Sequence, residues 1–367
     1  MIPQIITSER HTLPLWESLA LVALSVPFAW LIYRLVENPA SNWRATLAAR
    51  PRATLWLAAA LTMALTATAL FAFSNSRSTP LYLERKAPAT TISTQPVGTN
   101  YVPSNMVPSI RKASADNPAI YASGCHLSVV QIDPVGCTTG DVGAPVSVAL
   151  FGDSHAAQWY PALESLAERG KIALTAHTKS SCPSFELAAD QLVAPYPECA
   201  QWRKGVISRL ESNPPTVVVL ASFLDGDLGE LGRYDLSALS TAVEDTVRRL
   251  LVASTVVVLA DTPNFKISPS VCLSAHLADA EACSHRFNDA RSLAIASVVK
   301  AATKRGGGTL VDLTPYFCNS HFCPVIIGDA LVYRDTSHVT ASFSSLMSDV
   351  VGGKIDMSLR RKTRPPK

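Results

Sequence analysis

Hydrophobic and polar positions are distributed unevenly along this 367-residue chain. Residues 53–73, ATLWLAAALTMALTATALFAF, run without a single charge. A helix of that length covers roughly 30 Å, about the hydrocarbon thickness of a bilayer, so the stretch predicts a transmembrane helix. An earlier stretch at 13–33, LPLWESLALVALSVPFAWLIY, is apolar apart from Glu17 and is interrupted by Pro27. It reads as a second span, giving a membrane segment over 1–73, with a buried core helix as the alternative. Residues 74–119 are rich in Ser, Thr and Pro and show no sustained period, which predicts an extended linker. From about 120 to 355 the pattern changes to short β-branched runs: VSVALF (146–151), KIALTA (171–176), TVVVLAS (216–222), TVVVLA (255–260) and TLVDL (309–313). Helical stretches lie between and after them, at 155–169, about 200–211, 236–252, 286–304 and 340–352. Near-continuous apolar strands alternating with helices predict a parallel sheet covered on both faces. The fold class is therefore α/β, a three-layer α/β/α sandwich with a roughly five-stranded parallel sheet. In such sheets sites form beyond the carboxyl ends of the strands. The basic end of the chain, 356–367, reads as a solvated, disordered tail.

Charge and cysteines add a topology. The net charge is only +3, from 32 basic and 29 acidic residues, which argues against nucleic acid as a partner. Between the two apolar segments stand Arg34, Arg44, Arg50 and Arg52 against Glu37 alone. A positive short loop favours the cytoplasmic side, placing everything after Phe73 outside the cytoplasm. A cleavable signal peptide fits less well, because the first ten residues are not basic and Arg rather than a small-residue cleavage site follows the apolar stretch. All eight cysteines lie beyond the second apolar segment, as expected for disulfides in an oxidising compartment. Sequence alone does not dictate connectivity; neighbouring pairs, each stapling a local loop, are the simplest expectation: Cys125–Cys137, Cys182–Cys199, Cys272–Cys283 and Cys318–Cys323. The rival reading is zinc, from CNSHFC (318–323) and CSH (283–285), but no CxxC pair occurs and no metal is expected.

The chemistry is read at the strand ends. The first strand runs into Gly152-Asp153-Ser154-His155 and then a helix. Ser154 at a helix N-terminus is either a nucleophile with free N–H groups beside it or a simple helix cap. A serine nucleophile needs a base, and the base an orienting acid. YRDTSHVT (333–340) supplies both: Asp335 and His338 are three residues apart, after the last strand and before the last helix. No other histidine has an Asp at that spacing ahead of a helix, and His155, adjoining Ser154, is restricted by its own backbone. The order Ser, Asp, His matches α/β-hydrolases, yet no G-x-S-x-G elbow is present.

ALFGDSHAAQWYPAL resembles the first block of the SGNH (GDSL-like) hydrolases, and YRDTSHVT resembles their last block. The GDSH form, TKSSCPS (178–184), the paired cysteines and LVENPA (35–40) resemble a narrower group, acyltransferase-3 membrane proteins with a fused C-terminal SGNH domain. The resemblance implies an SGNH/flavodoxin-like sandwich over 120–355 and a Ser154–His338–Asp335 triad that needs no cofactor. About nine or ten spanning helices of that group are missing, which implies a separate multi-span acyltransferase as partner, through a split gene or a truncated reading frame. The usual Gly and Asn oxyanion donors are also missing. TKSSCPS and LASFLDG follow the second and third strands instead, leaving backbone N–H groups near Ser154 and Ser181, or the Ser222 hydroxyl, as candidates; Ser181 and Ser222 read equally as ordinary loop residues. The implied function is a membrane-anchored, extracytoplasmic serine O-acyltransferase, moving an acetyl group from an acyl donor to a cell-envelope glycan. The alternatives are an esterase of the same glycan and a catalytically silent glycan-binding module.

Overall fold

The computed structural model describes residues 51–78, 80–187, 196–224, 235–287 and 292–362, with individual positions between 23 and 34. The chain divides into two units, residues 1–80 and 81–367. The first contains helix α1 (Pro51–Ser78). Its stretch Arg52–Phe71 has a mean hydropathy of 1.7 and is not buried at all, so it is long and apolar enough to cross a bilayer. The other proposed span, 13–33, lies mostly outside the described residues.

The second unit is built on one sheet. Its strands are β1 (His126–Leu127), β2 (Cys137–Thr139), β3 (Ser147–Gly152), β4 (Ala173–Lys179), β5 (Val217–Ala221), β6 (Thr255–Leu259) and β8 (Thr309–Val311). The order is β1-β4-β3-β5-β6-β8, all parallel, with β2 added antiparallel to β4. Two small ribbons lie off it: β7 (His285–Arg286) with β9 (Phe322–Cys323), and β10 (Ile326–Ile327) with β11 (Ala330–Leu331). The five predicted strands are the parallel centre; β1 and β2 are too short to carry a period of their own.

Why the central strands β3, β5 and β6 are almost continuously apolar is visible in how they divide. In β3, Val148 and Leu150 enter one core while Ala149 and Phe151 enter the other. Strands β5 and β6 divide the same way, Val217 and Val219 against Val218 and Leu220, and Val257 and Leu259 against Val256 and Val258. Successive side chains of a strand point to opposite faces, so a sheet covered on both sides must be apolar throughout. One face is covered by α3 (Tyr160–Glu168) and α8 (Ser348–Lys362), through Leu163, Leu166, Val351 and Ile355. The other is covered by α4 (Pro197–Ser212), α5 (Leu236–Leu251) and α6 (Leu293–Arg305), through Val206, Leu210, Val243, Val247 and Val299. The result is the expected α/β/α sandwich.

Two expectations are corrected. The segment read as a linker is a packed strap from Leu81 onward. Val102 (fully buried), Met106, Ile110 and Ala113 join the core, and the strap bridges the β10–β11 ribbon at Gly98–Ile327 and Val107–Ala330. Thr90 fixes it, donating its N–H to Asp329 Oδ1 (2.9 Å) and its hydroxyl to the Ile327 carbonyl (2.6 Å). Pro103 and Pro108 rule out a helix across the four-residue spacing of these side chains, so only the tertiary contacts reveal the burial. The basic tail likewise begins as helix: α8 runs to Lys362, burying Ile355 and Ser358 on the face that Val351 starts. All four cysteine pairs are bridged as expected.

Candidate active site

Strand β3 ends at Gly152, where a Cβ would stand 1.8 Å from the Ala221 carbonyl oxygen of β5. Only glycine permits that approach, and the chain then turns into the short helix α2 (Ser154–Ala157). The helix cap is Asp153, not Ser154. Asp153 Oδ1 accepts the His155 N–H (2.8 Å), and Oδ2 accepts the Phe223 N–H beyond β5 (2.8 Å). Burial pushes this carboxyl up to about 6. Freed of capping, Ser154 is half-buried while every other residue from Phe151 to Leu163 is buried. Its N–H, at the first helical position, is used by no turn of the helix.

The loop before α7 (Ala341–Leu346) carries the other two predicted residues. A Tyr333–Val339 bridge closes it, with the Arg334 N–H donating to the His338 carbonyl (3.0 Å). Asp335 Oδ1 accepts the N–H groups of Ser337 (2.9 Å) and His338 (2.8 Å). Its two oxygens lie 3.0 and 2.9 Å from His338 Nδ1. A carboxylate only accepts, so Nδ1 carries the proton and Nε2 is left with a lone pair. That Nε2 is buried and hydrogen-bonds to no described residue. Burial alone would raise the Asp335 carboxyl, but hydrogen bonds from His338 and the two backbone N–H groups outweigh it and hold the carboxyl well below its ordinary value. Burial holds His338 below the ordinary imidazole value, against the pull of Asp335.

Several groups that tie the two motifs together are not among the predicted ones. Gln158, one turn from Ser154 and buried, accepts the Val339 N–H through Oε1 (2.8 Å) and donates to Thr262 Oγ1 (3.2 Å); that hydroxyl donates to the Ser337 carbonyl (3.3 Å). The serine turn is thereby fastened to the histidine loop. Arg334, also buried, has Nε 3.6 Å from Asp335 Oδ2 and its guanidinium over the Tyr121 ring. Tyr121 in turn stacks on His126 at 4.4 Å. His155 Nδ1 lies 2.6 Å from Asp261 Oδ1, its ring 4.7 Å from that of His338. Asp261 follows β6, at the sheet end where chemistry is expected, and that position is the one signal that would have found it.

The other two candidate oxyanion residues fall differently. Ser222 is buried; its Oγ accepts the Ser184 N–H (2.9 Å) and pairs with Ser184 Oγ (3.0 Å), so its hydroxyl holds a neighbouring loop. Ser181 is exposed, with φ of +53° in a turn. Of the N–H groups at this rim, those of His155 and Phe223 go to Asp153 and that of Leu224 to Asp261. Ser154 N–H, beside the serine hydroxyl, is a donor that none of these carboxylates takes.

A parallel sheet with a Gly-Asp-Ser-His turn after its first long strand and an Asp-x-x-His loop before its closing helices defines the class of fold. The profile described as "SGNH domain (fused to AT3 domains)" matches residues 124–352, and the chain belongs to that family. No curated protein matches the chain by sequence. Among solved structures it is similar to the periplasmic domain of a Salmonella ser. Paratyphi A lipopolysaccharide acetyltransferase (16% identity, 65% of this chain and 88% of that one, TM-score 0.46). It is also similar to Est24, a carbohydrate acetylesterase from Sinorhizobium meliloti (13% identity, 58% of this chain and 99% of that one, TM-score 0.38).

Proposed function

We propose that this chain is a membrane-anchored, extracytoplasmic serine acyltransferase that places acetyl groups on a cell-envelope glycan, working with a multi-span acyltransferase that supplies the acyl donor. The observation that carries the reading is the His338–Asp335 pair: Nδ1 is committed to the carboxylate and Nε2 has no hydrogen-bond partner among the described residues, on a loop fastened by Gln158 to the Ser154 turn. Ser154 Oγ attacks the ester carbonyl of the donor as His338 Nε2 takes its proton. Asp335 keeps the imidazole in the required tautomer and stabilises the imidazolium. Ser154 N–H donates to the developing oxyanion. His338 returns the proton to the departing alcohol, then takes one from a glycan hydroxyl as that oxygen attacks the acyl-serine; the bond from the acyl carbon to Ser154 Oγ breaks, His338 gives the proton to Ser154 Oγ, and the glycan ester leaves. Membership of a family whose SGNH domains are fused to AT3 domains supports acyl transfer, and α1 with the four disulfides supports an anchored domain outside the cytoplasm.

The test uses the full chain in detergent micelles with p-nitrophenyl acetate, with and without glycan. Turnover lost by at least ~10³-fold in both Ser154→Ala and His338→Ala, with acetyl ester appearing on the glycan, is the expected result. Free acetate alone would make the protein an esterase. Glycan binding without turnover, unchanged in Ser154→Ala, would make it a silent binding module.

A further inference from the structure

Two imidazole–carboxylate pairs meet at this site, and the reaction above uses one. His155 is 2% exposed, packed between Phe223 (4.5 Å) and His338 (4.7 Å). Its Nδ1 faces Asp261 Oδ1 at 2.6 Å. Asp261 is itself oriented by the N–H groups of Leu224 (2.9 Å, to Oδ2) and Thr262 (2.9 Å, to Oδ1). His155 Nε2 is buried and hydrogen-bonds to no described residue. An imidazole kept only for packing would be expected to have both nitrogens satisfied. Here one nitrogen is committed to a fixed carboxylate and the ring is pressed against the candidate base.

We propose that the His155–Asp261 pair is a second dyad that acts through His338, its imidazolium charge keeping the base neutral between turnovers. The inference rests on the acyl-transfer reading and makes His155 a positioning residue. The surrounding charges agree with it. Asp261 after β6, Asp153 on the serine turn and Asp335 all favour charge on His155, outweighing its burial and raising its proton affinity. His338 is faced by Asp335 and Arg334 on its own loop, by His155, and by His126 from β1; burial, Arg334 and His155 oppose its protonation while Asp335 favours it. The two rings therefore differ in sign of shift although each has a carboxylate on Nδ1.

The experiment is the pH dependence of kcat/KM for p-nitrophenyl acetate, measured on the full chain in detergent as wild type, His155→Gln and Asp261→Asn. Removing the neighbouring charge, directly or by depriving His155 of its carboxylate, makes His338 easier to protonate. The acid limb should move to higher pH by about two units in both variants, a hundredfold change in proton affinity, the size expected for unit charges about 5 Å apart at an effective dielectric constant of about 20. A fall in kcat with the limb unmoved would overturn the proposal and leave His155 a packing residue. The second measurement needs no variant at these positions and no turnover: a ¹⁵N histidine NMR titration of Ser154→Ala. His155 should hold both ring protons to a higher pH than His338, and the reverse order would also overturn the proposal. Absence of turnover in the wild type would count against the acyl-transfer reading alone, because the titration still decides the order of protonation.

Discussion

The orientation of Asp335 makes Asp335→Asn a sharp test of the triad. In the native loop Oδ1 accepts two backbone N–H groups, from Ser337 and His338, at 2.9 and 2.8 Å. An asparagine must keep its carbonyl oxygen there, since its NH₂ would set donors against donors. The amide nitrogen then occupies the place of Oδ2, 2.9 Å from His338 Nδ1. An NH₂ facing Nδ1 forces that nitrogen to accept, so the ring proton moves to Nε2, the atom that must take the proton of Ser154. The backbone turn survives but its bonds lose the carboxylate's charge, so stability should fall by about 1–3 kcal/mol. Activity should not survive: a wrong tautomer in a serine–histidine site lowers kcat by about 10⁴, or roughly 5.5 kcal/mol. The assay is kcat on p-nitrophenyl acetate beside a urea unfolding curve. A folded Asp335→Asn enzyme within tenfold of wild-type kcat would refute the role given to Asp335 and leave His338 either unoriented or not the base.

Three further outcomes follow from packing and charge. Gln158→Leu keeps the volume but strands the buried Val339 N–H and loses the bond to Thr262, so it should cost about 2–3 kcal/mol in urea unfolding and lower kcat 10–100-fold with little change in KM; a stability loss with kcat intact would separate the pin from catalysis. Val102→Asp should destabilise the second unit by 3 kcal/mol or more, because it buries a charge where the strap enters the core, whereas a free tether would leave the thermal midpoint unchanged. His177, buried with Nδ1 on the Pro134 carbonyl (3.1 Å), is held by burial down to about 4, against an ordinary value of 6.5. Between those values the unfolded chain takes up a proton that the folded chain does not, so stability falls as pH falls. The contribution between pH 7 and pH 5 is about 2 kcal/mol, and His177→Gln should remove that part of the difference between urea midpoints at the two pH values.

What can be read from a chain of this kind depends on how far each feature reaches along it. The five central strands were legible because burial on both faces makes most positions apolar, a signal contained in five to seven residues. The Asp335–His338 pair was legible for the same reason: three residues separate acid from base, and one Asx turn holds both. The strap was not: Val102, Met106 and Ile110 stand four apart, as on a helix face, but Pro103 and Pro108 break any helix there, and their burial comes from a core assembled from residues far along the chain. The role of Ser154 was ambiguous because Ser and Asp both cap helices; only the geometry assigns the cap to Asp153 and leaves the serine free. Asp261 is the extreme case. It stands 106 residues from His155, and nothing local joins them. They meet because β6 lies beside β5 and β5 beside β3, so the carboxyl ends of β3 and β6 open onto one rim. A chance aspartate at the end of a strand would cost nothing there if solvated. This one is fixed by two backbone amides and faces a buried imidazole, and the cost of burying that pair is hard to explain unless its charge acts on the ring beside it.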